Sequence, residues 1–276
     1  MVKIKSLSKE WMMKAYPMNE DINQRESSLT GQLHVNGDKS LVHIYKRLTS
    51  TMNLARQKAL LNCPNHTIVI AEHQTDGRGR MNRRWQSDQG GLYMSWILRP
   101  TLDIPFCFAY TFSAALSIVE TIRQNYSIAA HVKWPNDVLI GDCKIAGILT
   151  ETQIENNELK FLNIGIGLNI NNVSKSTTFK SISLHELLQQ DVNKILFINN
   201  LLNKLHYRFE KVNPEEVLNT WKKYNCTIGK KVQVITPKST ICGLAVDVNP
   251  NGNLLVQKNN KDVEIVLYGD CFQDRY

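Results

Sequence analysis

The richest cluster of charged side chains in the sequence is the stretch AEHQTDGRGRMNRRW, which spans residues 71–85. Glycine lets a backbone approach a ligand closely, and guanidinium groups are permanently charged, forked donors that suit carboxylates and phosphates. The stretch therefore predicts a loop that binds anions, although a solvated basic turn or a nucleic-acid patch would have the same composition. The residues that define this basic loop are Gly77, Arg78, Gly79, Arg80, Arg83 and Arg84.

A dinucleotide-binding loop does not explain the GRGR sequence, because that fingerprint needs a third glycine and a helix directly after the strand. Here a β-branched run at residues 66–71 precedes the loop, and a second strand-like run at residues 91–98 follows it. A strand, a long basic loop and a strand form a flap. We expect this flap to be mobile without ligand, because its charges repel one another and it has few apolar residues to bury.

A second cluster of polar side chains lies in residues 130–148, AHVKWPNDVLIGDCKIAGI. Pro135 disfavours helix at Trp134, and Asn-Asp after proline is typical of a turn, so the pattern predicts a β-meander. Lys144 opens one of its strands, and a lysine in such a position is usually an edge residue with an exposed ammonium group. A later strand runs into Gly165-Ile-Gly-Leu-Asn169, where two glycines allow close approach to one face.

Hydroxyl side chains stand where a helix is predicted to begin. A strand-like run at residues 41–48 is followed by Thr49-Ser50-Thr51 and then by a helical run from Met52 to Leu61. Serine and threonine are preferred N-caps, and capping is the favoured explanation. The same hydroxyls, and the free backbone N–H groups of a helix start, also bind polar ligands.

The elements that must position these groups form an α+β pattern. After residue 224 the pattern changes to four or five short strands with turn signals, which is typical of a small β-barrel. Helical runs are predicted at residues 8–16, 105–125, 183–190, 193–211 and 214–223. We therefore divide the chain into an N-terminal extension, a central α+β domain and a C-terminal β domain, at residues 1–40, 41–224 and 225–276.

The composition indicates a globular protein with an anionic partner. The 276 residues are 42% hydrophobic and carry a formal charge of +8, which fits a nucleotide, a phosphate, a nucleic acid or an acidic protein. Six cysteines form no C-x-x-C pair, so structural zinc is not expected. The N-terminus lacks the apolar core of a signal peptide, which predicts a cytoplasmic protein with free thiols, and residues 104–122 predict a buried helix rather than a membrane span.

Four motifs in this order resemble those of biotin protein ligase. They are Gly77-Arg-Gly-Arg-x-x-Arg83-x-Trp85, Lys133-Trp-Pro-Asn-Asp137, Lys144-x-x-Gly147-Ile-Leu149 and Gly165-x-Gly167-x-Asn169. The resemblance implies a mixed β-sheet catalytic domain of the biotin/lipoate ligase type with flanking helices, and an SH3-like C-terminal β-barrel. It also implies a two-step reaction. Biotin and ATP give biotinyl-5′-AMP and pyrophosphate, and a lysine of a biotin carboxyl carrier protein domain then takes the biotinyl group.

By this resemblance, the catalytic cations are Arg78, Arg80 and Lys144, which would offset the repulsion between the carboxylate of biotin and the α-phosphate of ATP. Mg²⁺ would bind mainly to the phosphates of ATP, near Asp137 and Asn169, without a dense cage of carboxylates. The implied biotin-binding residues are Ser50, Thr51, Met52, Gln74, Gly77, Arg78, Gly79, Arg80, Lys144 and Gly147. The implied ATP- and adenylate-binding residues are Arg80, Arg83, Trp85, Lys133, Asn136, Asp137 and Asn169, and the loop at 171–181 is expected to contact adenine.

Two positions depart from the family pattern. Asn82 stands where the basic loop usually has glycine, and asparagine tolerates positive φ. Met52 stands where the family has a polar residue after Ser50 and Thr51, which removes a hydrogen bond. Residues 1–40 do not contain the pattern of the helix-turn-helix domain that makes many relatives repressors, so we expect an enzyme only, with a homodimer left open.

Two alternatives remain at this point. A lipoate protein ligase shares the fold and the acyl-adenylate chemistry but lacks the GRGR-x-x-R-x-W loop. A nucleic-acid-binding regulator would account for the positive charge, and its binding would depend steeply on salt concentration.

Overall fold

The computed structural model of the protein describes residue 33, residues 41–174 and residues 180–273. The short helix predicted at residues 8–16 lies outside these residues. The helices are α1 (Thr51–Leu60), α2 (Phe108–Tyr126), α3 (Leu184–Leu188), α4 (Lys194–Glu210) and α5 (Pro214–Tyr224). The strands are β1 (Leu41–Tyr45), β2 (Thr67–Ala71), β3 (Leu92–Leu98), β4 (Ala130–Lys133), β5 (Asp137–Ile140), β6 (Cys143–Glu155), β7 (Glu158–Leu168), β8 (Lys231–Ile235), β9 (Thr240–Val248), β10 (Leu254–Gln257), β11 (Val263–Val266) and β12 (Asp270–Gln273).

The first of two compact units comprises Met1–Thr101 and Leu149–Gly167. Its strands pair in the order β1-β2-β3-β7-β6, and the sheet is mixed because β1 and β2 are parallel whereas β2 and β3 are antiparallel. Every residue of β2 and β3 is buried, as expected of strands that are covered on both faces. Helix α1 contributes Leu54 and Ala55 to a core that also contains Val69, Ile97 and Phe161.

The second unit comprises Leu102–Ile148 and Leu168–Tyr276. Strands β4, β5 and β6 form the predicted antiparallel meander, and α2 packs against α4 and α5. Phe112 of α2 stacks on Trp221 of α5 with ring centroids 4.5 Å apart. Arg208 of α4 forms a salt bridge of 2.6 Å with Glu120 of α2. Apolar stacking and one ion pair therefore hold the long helix in place.

Within the described residues, the segment Ile104–Tyr126 is long and apolar enough to cross a membrane by length and composition, and 67% of its most apolar window is buried. Such length and composition are also found in the core helices of proteins that lie in no membrane. The burial of this segment agrees with the prediction of a core helix.

The C-terminal strands form an antiparallel sheet in the order β11-β10-β9-β8-β12. In β8 exposed and buried residues alternate, and Val232 and Val234 face the core. This sheet is consistent with the expected SH3-like domain. The indole N–H of Trp134 donates to the carbonyl of Gly252 at 3.0 Å, and the backbone N–H of Trp134 donates to the Thr227 hydroxyl at 2.9 Å. These bonds fix the turn at residues 134–137.

The α+β fold and the mixed sheet predicted from the sequence are confirmed. Helix α2 ends within a residue of its predicted limit, and α4 and α5 agree as closely. The first strand is shorter than predicted, because β1 ends at Tyr45 and Leu48 forms only an isolated bridge to Gln74. The domain boundaries at residues 41 and 225 stay predictions.

Candidate functional site

The start of α1 lies where it was predicted, but the prediction that a serine or threonine side chain caps this helix is wrong. Ser50 occupies the N-cap position with extended backbone, but its side chain makes no capping hydrogen bond. The Ser50 hydroxyl is buried, and no partner for it occurs in the part of the chain that the structure describes. The cap is supplied from a distance, because the Gln74 carboxamide oxygen accepts the backbone N–H of Thr51 at 2.7 Å. The hydroxyl of Ser50 is therefore not used by the helix.

The carboxamide of Gln74 organises a buried polar network around the start of α1. Its oxygen also accepts from the Thr51 hydroxyl at 3.1 Å, and its nitrogen donates to the Ser87 hydroxyl at 2.8 Å. Ser95 donates to the Thr51 hydroxyl at 2.9 Å. Buried polar groups that are bonded in this way hold one geometry. The network thus gives the start of α1 a fixed polar lining.

The basic loop closes on itself as a narrow hairpin. The backbone N–H of Trp85 donates to the Gly77 carbonyl at 2.7 Å, and the N–H of Gly79 donates to the Arg83 carbonyl at 2.7 Å. A side chain at Gly77 would place its Cβ 2.4 Å from the Trp85 carbonyl oxygen. The predicted tolerance of positive φ at Asn82 is confirmed, since its φ is 58°. The adjacent Met81 also has positive φ, at 53°, which the sequence did not predict.

The four arginines of the basic loop differ in what they contact. Arg78 donates to Glu151 at 2.6 Å and to the Asn53 side-chain oxygen at 3.1 Å. Arg84 donates to the carbonyl of Thr75, so it stabilises the loop itself. An anion that binds Arg78 would have to share it with the carboxylate of Glu151. Arg80 and Arg83 both lie at the tip of the loop and are half-buried.

Two glycines of β7 accommodate side chains from α1 and from the basic loop. A Cβ on Gly165 would lie 2.5 Å from the Met52 sulfur, and a Cβ on Gly167 would lie 2.4 Å from the Trp85 indole. The predicted close approach at these glycines is therefore confirmed. Alternation along a strand puts Asn163 on the same face, where its amide nitrogen donates to the Met52 carbonyl at 2.9 Å.

In the second unit, Lys144 is not the solvated edge lysine of the simpler interpretation. Its ammonium group lies 2.6 Å from an Asp137 carboxylate oxygen, and about four fifths of each side chain is buried (20% and 23% exposed). Lys133 and Gly147 stand opposite Asp137 on the two neighbouring strands. The side chain of Asn136 donates to the carbonyl of Ile148 at 2.5 Å. The meander therefore clusters Lys133, Asn136, Asp137, Lys144 and Gly147.

Asn169 follows β7 and contacts β6, the last strand of the same meander. Its backbone N–H donates to the Ile145 carbonyl at 2.9 Å, and its amide nitrogen donates to the Ile182 carbonyl at 3.3 Å. Its side-chain oxygen accepts from Asn172 at 3.0 Å. The described part of the loop predicted to contact adenine, residues 171–174 and 180–181, is anchored by these bonds.

The predicted site residues thus fall into two groups. The first unit brings together Ser50, Thr51, Met52, Gln74, Gly77, Arg78, Gly79, Arg80, Arg83 and Trp85 on the start of α1 and the basic loop. The second unit brings together Lys133, Asn136, Asp137, Lys144, Gly147 and Asn169. That Lys144 and the arginines act on one ligand stays a prediction.

Sequence reasoning missed two residues of the first group. Glu151 was overlooked because its partner, Arg78, is 73 residues away in the chain. Asn163 was overlooked because it lies in an apolar strand sequence, FLNIGIGL. A polar residue within an apolar strand sequence is the signal that could have identified Asn163. The side chain is fully buried, and a buried carboxamide needs hydrogen-bond partners.

Comparisons with known proteins agree with the motifs. The chain matches the model of the biotin/lipoate A/B protein ligase family over residues 44–169 and that of the biotin protein ligase C-terminal domain over residues 227–273. It is 34% identical over 222 residues to the bifunctional ligase/repressor BirA of Bacillus subtilis, an alignment that covers 77% of this chain and 68% of that protein.

A further relative and a solved structure extend the comparison. The biotin--[acetyl-CoA-carboxylase] ligase of Mycobacterium tuberculosis is 27% identical over 212 residues, which cover 74% of this chain and 77% of that protein. The solved structure of biotin protein ligase from Aquifex aeolicus in complex with biotin and ATP matches with a TM-score of 0.72 at 24% identity, and covers 86% of this chain and 99% of that chain. At this identity the structural match establishes the fold.

Proposed function

The chain belongs to the biotin protein ligase family, and on this premise we propose that it activates biotin with ATP and attaches it to a carrier protein. In the first step a carboxylate oxygen of biotin attacks the α-phosphorus of ATP. The bond between the α- and β-phosphates breaks, which gives biotinyl-5′-AMP and pyrophosphate. In the second step the amine of an acceptor lysine attacks the biotinyl carbonyl, AMP leaves, and the amine proton passes to solvent.

The acceptor is a biotin carrier domain. Relatives of the chain are named for acetyl-CoA carboxylase, and a carrier subunit of such a carboxylase is the acceptor that we propose. Biotinyl-AMP is a mixed anhydride and is already activated, so correct positioning of the acceptor lysine suffices for the second step. Closure of the basic loop over the adenylate would keep water from hydrolysing it.

The observation that carries the proposal is the polar lining at the start of α1. The hydroxyl of Ser50 is buried without a protein partner among the described residues, next to a network that Gln74 and Thr51 hold rigid. Such a lining suits an uncharged polar head group that enters a dry site. The cyclic urea of biotin is a head group of this kind, because it has one carbonyl acceptor and two N–H donors.

The cations supply the electrostatic part of the first step. A carboxylate and an α-phosphate repel each other, and charge accumulates further in the transition state, so fixed positive groups lower the barrier. We assign this role to Arg78, Arg80 and Lys144. Asp137 and Glu151 hold two of these cations in place with contacts of 2.6 Å. No general base is required, because the carboxylate of biotin is already ionised.

The second group of residues is assigned to the nucleotide. We propose that Arg83, Trp85, Lys133, Asn136, Asp137 and Asn169 contact ATP and the adenylate. The carboxylate of Asp137 and the amide oxygen of Asn169 are the hard oxygen donors that suit Mg²⁺, and both already have protein partners. Mg²⁺ bound there and to the phosphates would neutralise phosphate charge. Because few protein oxygens are available to it in this group, we expect it to enter with ATP.

The test is biotin-dependent exchange of pyrophosphate into ATP, followed by transfer of labelled biotin to a purified carrier domain. We expect exchange with biotin and none without it. Exchange that proceeds equally well without biotin would exclude the function. Lipoate in place of biotin separates this activity from that of a lipoate ligase. A DNA titration at low salt tests the nucleic-acid alternative, and we expect no binding that depends on salt.

A further inference from the structure

Asn163 is the fully buried polar residue of β7 on the face that contacts α1. None of the four motifs contains it, and the residues beside it in the strand, Leu162 and Ile164, are apolar and buried. Its amide nitrogen donates to the backbone carbonyl of Met52 at 2.9 Å. This bond fixes the orientation of the carboxamide, because the oxygen must then point away from the Met52 carbonyl.

The oxygen of that carboxamide has no hydrogen-bond partner within the described ranges, although it is buried. A buried acceptor without a partner costs about 1–3 kcal/mol, so such an atom calls for an explanation. The hydroxyl of Ser50, two residues before Met52, is buried and unpartnered in the same part of the chain. Two independent polar atoms near one helix start therefore have no partner among the residues that the structure describes.

The chemistry of these two atoms selects a ligand type. The oxygen of Asn163 only accepts, whereas the hydroxyl of Ser50 both donates and accepts. Gln74 is already engaged at both ends of its carboxamide, with Thr51 and with Ser87. A cyclic urea needs one donor for its carbonyl and acceptors for its N–H groups. The hydroxyl of Ser50 and the oxygen of Asn163 supply one of each.

We propose that Asn163 is a specificity-determining residue of the biotin site, and that its side-chain oxygen accepts one ureido N–H of biotin. This inference rests on the proposed function. The two glycines further along the same face, Gly165 and Gly167, accommodate Met52 and Trp85, so β7 forms the floor beneath both the helix start and the basic loop. Asn163 places a polar acceptor on that floor.

The first experiment measures pyrophosphate exchange for Asn163→Leu, which preserves size and removes both amide functions. We expect the KM for biotin to rise about tenfold to a hundredfold, because one ligand N–H loses its acceptor. The KM for ATP and the maximal rate should change less than threefold. Thr121→Val is the matched control, since it also removes a buried hydrogen bond to a backbone carbonyl, from the Thr121 hydroxyl to Ser117 at 2.7 Å. This control should leave both KM values unchanged.

A second measurement needs no variant. Two biotin analogues, in each of which oxygen replaces one ureido N–H, are compared with biotin by calorimetry on the native chain. We expect one of them to bind about tenfold to a hundredfold more weakly than biotin. Equal affinity of biotin and both analogues, or a native KM for biotin in Asn163→Leu, would overturn the role of Asn163 alone. A native chain without biotin-dependent exchange would remove the proposed function and this inference together.

Discussion

The guanidinium of Arg78 lies 2.6 Å from a carboxylate oxygen of Glu151, and the same arginine donates to Asn53 at 3.1 Å. Arg78, which we expect to bind an anionic substrate, is therefore already paired with the carboxylate of Glu151. A half-buried pair of this kind orients the cation and reduces the entropy lost when a substrate binds. It also means that the substrate carboxylate or phosphate must share the guanidinium with Glu151.

The pair separates the structural role of Arg78 from its catalytic role. Arg78→Ala should lower pyrophosphate exchange about 100-fold to 1,000-fold, because a preorganised cation is lost. It should also lower the free energy of unfolding by about 1 kcal/mol, since Glu151 is left without its partner. The double variant Arg78→Ala/Glu151→Ala should recover this stability and remain inactive. Exchange kinetics and urea unfolding measure the two effects.

A matched control exists in the second unit. Arg208 forms an ion pair of the same length with Glu120, and 20% of each side chain is exposed. Arg208→Ala should lower stability by a similar amount and leave exchange within about twofold of the native rate. If Arg78→Ala behaves like this control, the assignment of Arg78 to catalysis is wrong.

Lys144 is expected to be the second essential cation. Its ammonium group lies 2.6 Å from a carboxylate oxygen of Asp137, and this ion pair fixes the position of the lysine side chain. Lys144→Ala should reduce exchange about 100-fold to 1,000-fold with little change in the KM for biotin, because the charge acts in the transition state. Lys222→Ala, which breaks the partly exposed pair of Lys222 with Asp247 at 2.7 Å, is the control. A native exchange rate in Lys144→Ala would contradict the assignment.

The elements were largely predictable from the sequence, because their patterns are local. The helical period of α2 and the alternation of β8 are visible in short windows, and Pro135 marks the turn that follows β4. The basic loop is predicted from the types and spacing of its glycines and arginines and from the strand-like runs on either side of it. In each of these cases the residues that determine the structure are near neighbours in the chain.

The parts that could not be predicted depend on partners far apart in sequence. Ser50 has the residue type and position of an N-cap. The first backbone N–H of α1 nevertheless donates to the side chain of Gln74, which follows β2 in the chain. The pairing of Arg78 with Glu151 joins the basic loop to β6, and these two segments are 73 residues apart in the chain. Asn163 could not be predicted because the apolar pattern of a strand indicates which residues are buried. It does not indicate that a polar side chain of β7 will bond to the start of α1.

The thiol of Cys271 should make stability depend on pH. Burial raises its pKa to about 12 from a usual value near 9, and the nearby Lys133 acts in the opposite direction. Above about pH 9 the unfolded chain loses the thiol proton while the folded chain keeps it. The contribution of the protonated Cys271 thiol to the free energy of unfolding is thus fully present below pH 9. It is lost as the pH rises, by about 1.4 kcal/mol per pH unit.

Urea unfolding between pH 8 and 10 under reducing conditions measures this dependence. The slope of unfolding free energy against pH should be shallower in Cys271→Ala than in the native chain, even though the variant is less stable at pH 8 because a small cavity forms. Identical slopes would show that the folded thiol ionises as readily as the unfolded one.

The two glycines of β7 should differ in how they tolerate a methyl group. A Cβ on Gly167 would lie 2.4 Å from the rigid Trp85 indole, whereas a Cβ on Gly165 meets the flexible end of the Met52 side chain at 2.5 Å. Gly167→Ala should therefore displace Trp85 and lower exchange roughly tenfold to a hundredfold, as overpacking of a filled site does. Gly165→Ala should lower the rate of exchange less than Gly167→Ala does, and it should mainly raise the KM for biotin.

Gly141→Ala is the control for these substitutions, since Gly141 has a φ of 54° and nothing within 4 Å of its Cβ position. It should strain the backbone by about 1–2 kcal/mol without changing either KM. Steady-state exchange with biotin and ATP varied in turn distinguishes the three variants. An equal loss in Gly165→Ala and Gly167→Ala, with no separation between the two KM values, would mean that β7 is a uniform packing surface and that Trp85 has no special position on it.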